Sequence, residues 1–134
     1  MPTYFADTWF YIALLDRRDS HSSRARRVAA AIRGADVVTH EHIFAETLAY
    51  FADAGANLRE HAVAMVRDAL RTSQVITPDR ALFVRALDRY AARPDKEYSL
   101  VDCMSMVIME GRGIHHVLTN DHHFTQAGFT IVNQ

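Results

Sequence analysis

Cysteine, lysine and tryptophan are nearly missing from this chain, which carries one of each: Cys103, Lys96 and Trp9. A lone thiol cannot close an internal disulfide. Cys103 lies inside the apolar run Leu100 to Met109 and reads as core filler, which fits a reducing, cytoplasmic setting. Positive charge rests on arginine, and the formal net charge of −1 excludes a molecule-wide positive field. Any nucleic-acid binding must therefore come from a local patch. No apolar run approaches the roughly 20 residues needed to span a bilayer, and no basic segment leads into a long apolar one near the N-terminus. The expectation is a soluble, unexported protein. Repeats, low-complexity tracts and linkers are also lacking.

What remains suits one domain over residues 1–134. A chain of this length removes roughly two-thirds of its unfolded surface from water, so its core needs neither disulfide nor structural metal. Short β-like segments at Thr3 to Ala6, Asp36 to Thr39, Val75-Ile76, Val117-Leu118 and Phe129 to Val132 alternate with helical ones. The helices expected are Thr8 to Leu15, Ser20 to Arg33, His40 to Ala54, Leu58 to Arg71, Asp79 to Ala92, Ser99 to Gly111 and a short Asp121 to Ala127. Helical spacing turns Ile43, Phe44, Thr47, Leu48 and Phe51 inward, with Glu46 at the stripe edge beside Tyr50. It likewise turns Leu82, Phe83, Ala86, Leu87 and Tyr90 inward, and makes the helix from Ser99 apolar on nearly all sides and so central. Alternating strands and helices predict a mainly parallel sheet of four to five strands with helices on both faces.

Four acids stand where apolar segments meet turns or helices: Asp7, Glu46, Asp102 and Asp121. A carboxylate in such a place is costly unless something pairs with it. Asp7 and Asp121 can also be helix N-caps, and Ser99-Leu100-Val101-Asp102 is a capping-box pattern. Capping does not require the acids to meet, whereas a shared divalent ion does. Ligands of open α/β sheets bind beyond the carboxyl ends of the strands, where Asp7 and Asp121 fall. Hard oxygen donors of this kind suit Mg²⁺ or Mn²⁺, whose open positions accept phosphate oxygens.

Phe5-Ala6-Asp7-Thr8, Phe44-Ala45-Glu46-Thr47-Leu48, Tyr98-Ser99-Leu100-Val101-Asp102, and Leu118-Thr119-Asn120-Asp121 ahead of Phe124 and Ala127-Gly128-Phe129 follow one another in order. In order and spacing this series resembles the PIN-domain ribonucleases, especially the VapC-like toxins of toxin–antitoxin pairs, across essentially the whole chain. The resemblance implies a three-layer α/β/α fold and a Mg²⁺- or Mn²⁺-dependent endonuclease acting on RNA. It implies Asp7, Glu46, Asp102 and Asp121 as catalytic and metal-binding acids, Thr8 and Thr119 as supporting polar groups, a homodimer, and a small antitoxin partner. Trp9 is bulkier than the residue common after the first Asp-Thr pair, and His122-His123 replace a stretch that often holds Arg or Asp.

Other features offer weaker signals. The eight histidines include the pairs His40/His42, His115/His116 and His122/His123, but their spacing forms no recognised zinc site and thiolate partners are missing. His122 or His123, beside Asp121, could touch a phosphate. Arg17, Arg18, Arg24, Arg26 and Arg27 form the densest basic stretch, so Arg24, Arg26, Arg27 and His123 are the RNA-binding candidates; the competing view is a solvated helix face. Trp9, Phe10, Tyr11 and Tyr50 are the aromatics that could stack on bases. An aspartyl phosphatase would also place Asp7 at the end of the first strand, but usually needs an acid where Trp9 stands. A housekeeping nuclease would present the same quartet, and a non-catalytic interaction module would use the acids as caps.

Overall fold

The computed structural model describes residues 2–132, which form a five-stranded sheet flanked by helices. In chain order the elements are β1 (Tyr4–Ala6), α1 (Thr8–Leu15), α2 (Ser22–Ala31), β2 (Val37–His40), α3 (Glu41–Tyr50), α4 (Ala56–Thr72), β3 (Gln74–Ile76), α5 (Arg80–Ala92), α6 (Leu100–Arg112), β4 (His116–Leu118), α7 (His123–Gln126) and β5 (Thr130–Ile131). Every expected element is present, and most differ from the expected bounds only by a few residues at their ends. His40 is the clearest shift, since it closes β2 instead of opening a helix.

The strand order is β3-β2-β1-β4-β5, with every neighbouring pair parallel. Strand β1 lies in the middle, where Phe5 pairs with Val38 on one side and Val117 on the other. A parallel strand covered on both faces needs an apolar run, and Phe5 and Ala6 are both fully buried. Right-handed crossovers place the helices of outward and returning connections on opposite faces. The packing agrees: α1 touches α2, α3 and α4, whereas α6 touches α5 and α7.

Helix α6 is the centre of its layer because every residue from Asp102 to Met109 is buried. Its start is fixed by a reciprocal cap: the Asp102 N–H donates to Ser99 Oγ at 3.0 Å and the Ser99 N–H to Asp102 Oδ2 at 3.1 Å. Gly113, at φ 66, ends it in the left-handed conformation that glycine adopts without strain. Met104, Met106 and Met109 are each about 1% exposed or less. Burial of each such side chain contributes about 1.5–3 kcal/mol. On the opposite layer, Ile12, Phe51 and Ala62 join α1, α4 and the end of α3 in a smaller apolar cluster.

Helix α5 departs from the inward stripe that its spacing suggests. Leu82 and Ala86 are buried, but Phe83, Leu87 and Tyr90 are 40%, 46% and 52% exposed. The cause is its surroundings: α5 packs chiefly on α6, so only a narrow line of side chains is covered. Among the aromatics considered for base stacking, Tyr11 is buried and Phe10 half-buried, while Trp9 and Tyr50 remain exposed.

His40 joins the two sides of the core. Its ring is fully buried, with Nε2 3.0 Å from Ser105 Oγ of α6. Burial, helped by the nearby His42, lowers its pKa from 6.5 to about 4. A depressed folded pKa means that the neutral ring stabilises the fold above about pH 6.5, and that this contribution is lost as pH falls towards 4. Ser105 Oγ also donates to the Val101 carbonyl, so it keeps a partner if the ring is removed. Wild-type protein should therefore lose about 3 kcal/mol relative to His40→Leu between pH 7 and pH 4. Urea unfolding of both proteins across that range measures the difference, and parallel curves would contradict a neutral buried His40.

Candidate functional site

Strands β1 and β4 are neighbours, yet the chain leaves β1 in one direction and reaches β4 only after completing the far half of the sheet. The crevice beyond the carboxyl ends of such a pair is where an open α/β sheet leaves room for a ligand. Asp7 follows the last residue of β1, and Thr119, Asn120 and Asp121 follow the last residue of β4. The Asp7 N–H donates to the Leu118 carbonyl at 3.1 Å, extending the strand pairing to the rim.

Asp7 occupies the N-cap position of α1 but makes no side-chain cap bond. Its Oδ2 instead accepts from Thr119 Oγ1 at 2.7 Å, and that hydroxyl in turn accepts the Asp121 N–H at 3.1 Å. One threonine thus ties the two strand-end acids together. Asp121 stands one residue ahead of the N-cap His122, and its Oδ1 accepts the His123 N–H at 2.9 Å, closing the turn that leads into the helix. Asp102 enters from the first turn of α6, oriented by its capping box. Glu46 comes from α3 and accepts a hydrogen bond from Thr8 Oγ1, so the residue beside Asp7 anchors the fourth acid.

All four acids line one cleft of about 470 Å³, together with Thr8, Trp9, Ile12, Tyr50, Glu97, Ser99 and His123. Capping and convergence are therefore compatible: Asp102 does both. The tightest grouping among the described residues is Asp102, Asp121 and His123, whose candidate ligand atoms lie within 4.8 Å of one another. Asp7 and Glu46 share the cleft but stand outside that group. Glu97 has no sequence signal beyond its place in an exposed loop near Asp102. Tyr50 donates to Asp16 Oδ2 at 2.7 Å and meets Trp9 edge-on at 6.3 Å between ring centroids, forming one wall.

The arginine candidates separate. Arg24 lines a narrow adjacent cavity of about 20 Å³ with Trp9, Phe10, Leu118 and Asn120. Arg26 donates to Ser22 Oγ at 2.7 Å, and Arg27 is exposed; neither lines either space. Trp9 borders both the cavity and the acidic cleft.

The electrostatics explain what this cleft needs. Burial raises the Asp7 pKa from 3.8 to about 8, with Asp102 and Asp121 adding repulsion and the Thr119 bond opposing the rise. Burial is also the main cause that raises Asp102 and Glu46, with the charge of Asp121 acting on Asp102 and that of Asp102 on Glu46. Among the described residues, no lysine or arginine lines the cleft to offset these charges. Hard carboxylate oxygens gathered in one cleft fit a divalent ion such as Mg²⁺ or Mn²⁺.

A raised folded pKa has a definite consequence for stability. With metals chelated, folding must keep a proton on Asp7 that the unfolded chain releases near pH 4, so stability falls as pH rises from about 4 to about 8. Asp7→Asn lacks this penalty and should be more stable than wild type at pH 7.5, by a margin on the order of a few kcal/mol. Excess Mn²⁺ should stabilise wild type and reduce or reverse the gap. Urea unfolding at several pH values, with chelator or Mn²⁺, provides the measurement; a gap independent of pH would mean that Asp7 ionises normally.

Comparison with known proteins points the same way. The PIN domain family matches residues 4–130. The 23S rRNA-specific endonuclease VapC20 of Mycobacterium tuberculosis is 30% identical over 132 residues, covering 96% of each chain. The crystal structure of that protein, described as a sarcin-ricin loop cleaving toxin, superimposes with a TM-score of 0.86 at 27% identity, over 98% of this chain and 99% of the other. The DNA-bound VapBC structure from Salmonella typhimurium shares the fold at a TM-score of 0.68 and 18% identity, covering 98% of each chain.

Proposed function

Because the chain belongs to the PIN-domain family, we propose that it is a metal-dependent endoribonuclease and the toxin of a toxin–antitoxin pair. The observation that carries this proposal is the convergence of Asp7, Glu46, Asp102 and Asp121, from four separate elements, on one cleft at the switch point of the sheet. The proposed substrate is ribosomal RNA, supported by likeness to a 23S rRNA-specific endonuclease over nearly the full length of both chains. A small antitoxin that covers the cleft, a homodimeric assembly and a cytoplasmic location complete the proposal.

In this proposal Asp7, Asp102 and Asp121 hold Mg²⁺ or Mn²⁺, and Glu46 either joins them or orients the attacking water. The ion, when bound, supplies Lewis-acid polarisation of the scissile phosphodiester and lowers the pKa of a water molecule. The protein's own groups do the positioning. Thr119 holds Asp7 and Asp121 in register, and Thr8 engages one oxygen of Glu46. Ser99 keeps the Asp102 carboxylate turned towards its own helix start. Trp9 and Tyr50, both 40% exposed, offer faces for unstacked bases, and Arg24 beyond Trp9 offers charge to a neighbouring phosphate.

The test is incubation of purified protein with total RNA and with isolated ribosomal RNA, with and without Mn²⁺. Discrete cleavage that chelation abolishes is expected. Asp7→Asn should lower the rate at least about 100-fold while retaining a cooperative unfolding transition. Intact RNA under metal-replete conditions would contradict the nuclease assignment; undiminished cleavage by Asp7→Asn would contradict the site.

A further inference from the structure

We infer that His123 is a direct nitrogen ligand of the ion in this cleft, making the centre a mixed nitrogen–oxygen site that prefers Mn²⁺ or a related transition-metal ion to Mg²⁺. This rests on the proposal that the cleft binds a divalent ion at all. His123 Nδ1 lies 3.3 Å from Asp102 Oδ2 and 3.3 Å from Asp121 Oδ1. Donors about 2.2 Å from a common ion sit roughly 3 Å apart at right angles and roughly 4.4 Å apart when opposite. The three candidate donors, all within 4.8 Å of one another, meet that spacing with little adjustment.

The imidazole is also held in place before any ion arrives. Its backbone N–H donates to Asp121 Oδ1 at 2.9 Å, which fixes the turn between the two residues. The Tyr98 ring packs against it nearly edge-on, with centroids 5.6 Å apart and planes at 75°. The side chain is 27% exposed and lines the cleft, so an ion can reach it. Its neighbour His122 is exposed and does not line the cleft.

Ligand type then sets the metal. Carboxylate and water serve Mg²⁺ well, whereas imidazole shifts preference towards first-row transition ions. The alternative role for His123 is a hydrogen-bond donor that merely orients Asp102 and Asp121. The two roles differ in whether nitrogen touches the metal, which spectroscopy reads without reference to catalysis.

The experiment is pulsed electron paramagnetic resonance on the full chain loaded with Mn²⁺, for wild type, His123→Gln, His122→Gln and His42→Gln. A ¹⁴N coupling typical of directly bound imidazole is expected in wild type and in the His122 and His42 variants, and should vanish in His123→Gln. Calorimetric titration should show the preference for Mn²⁺ over Mg²⁺ shrinking by about tenfold or more in His123→Gln. Bound Mn²⁺ with no nitrogen coupling in wild type overturns the role of His123 and leaves the carboxylate site standing. Failure of wild type to bind Mn²⁺ at all overturns both.

Discussion

A carboxylate buried at the end of the central strand is the constraint around which this protein is arranged. Asp7 is 2% exposed, and burial pushes its pKa to about 8, so near neutral pH it stays protonated unless a cation is supplied. Among the described residues, no arginine or lysine lines the cleft to relieve this. The surrounding structure adds further carboxylates, which makes the metal-free state electrostatically unfavourable and leaves room for a doubly charged ion to offset the repulsion. Strain of this kind is expected where function and stability compete for the same residues.

Topology brings the acids together. The chain builds β1, β2 and β3 outwards, returns past β1 and adds β4, so two residues 112 positions apart, Asp7 and Thr119, meet across adjacent strand ends. Helices from opposite layers then deliver the rest: Glu46 from α3 on one face, Asp102 from α6 on the other. Asp102 shows how one side chain can serve two roles, since the carboxylate that caps the start of α6 also faces the cleft. That double use explains why helix capping alone does not distinguish a structural acid from a site acid.

Much of the fold was legible because its signals are local. The Ser99 capping box, the all-round apolarity of α6 and the alternation of short strands with helices each reflect short-range chemistry, and each appears in the structure. The acids were legible as candidates for the same reason, as charges standing at the ends of apolar runs. Helix α5 shows the limit: spacing defines a stripe on Leu82, Phe83, Ala86, Leu87 and Tyr90, but only the neighbours of the helix decide how much of that stripe is covered. His123 and Glu97 show another. Spacing does not say that the turn after β4 and the loop before α6 bring them to the cleft wall, and the turn after β4 is held by the tertiary bond from Thr119 to Asp7. Likewise, spacing groups Arg24 with Arg26 and Arg27, whereas packing of α2 against α1 selects Arg24 alone for the wall beside Trp9.

The most direct test of the central claim is a crystal structure of the protein grown with Mn²⁺, with anomalous diffraction used to locate the ion. The account predicts one strong peak in the acidic cleft, within about 2.3 Å of carboxylate oxygens from Asp7 and Asp102. A cleft without a peak at saturating Mn²⁺, or an ion held elsewhere while Asp7 stays bonded to Thr119 alone, would contradict it.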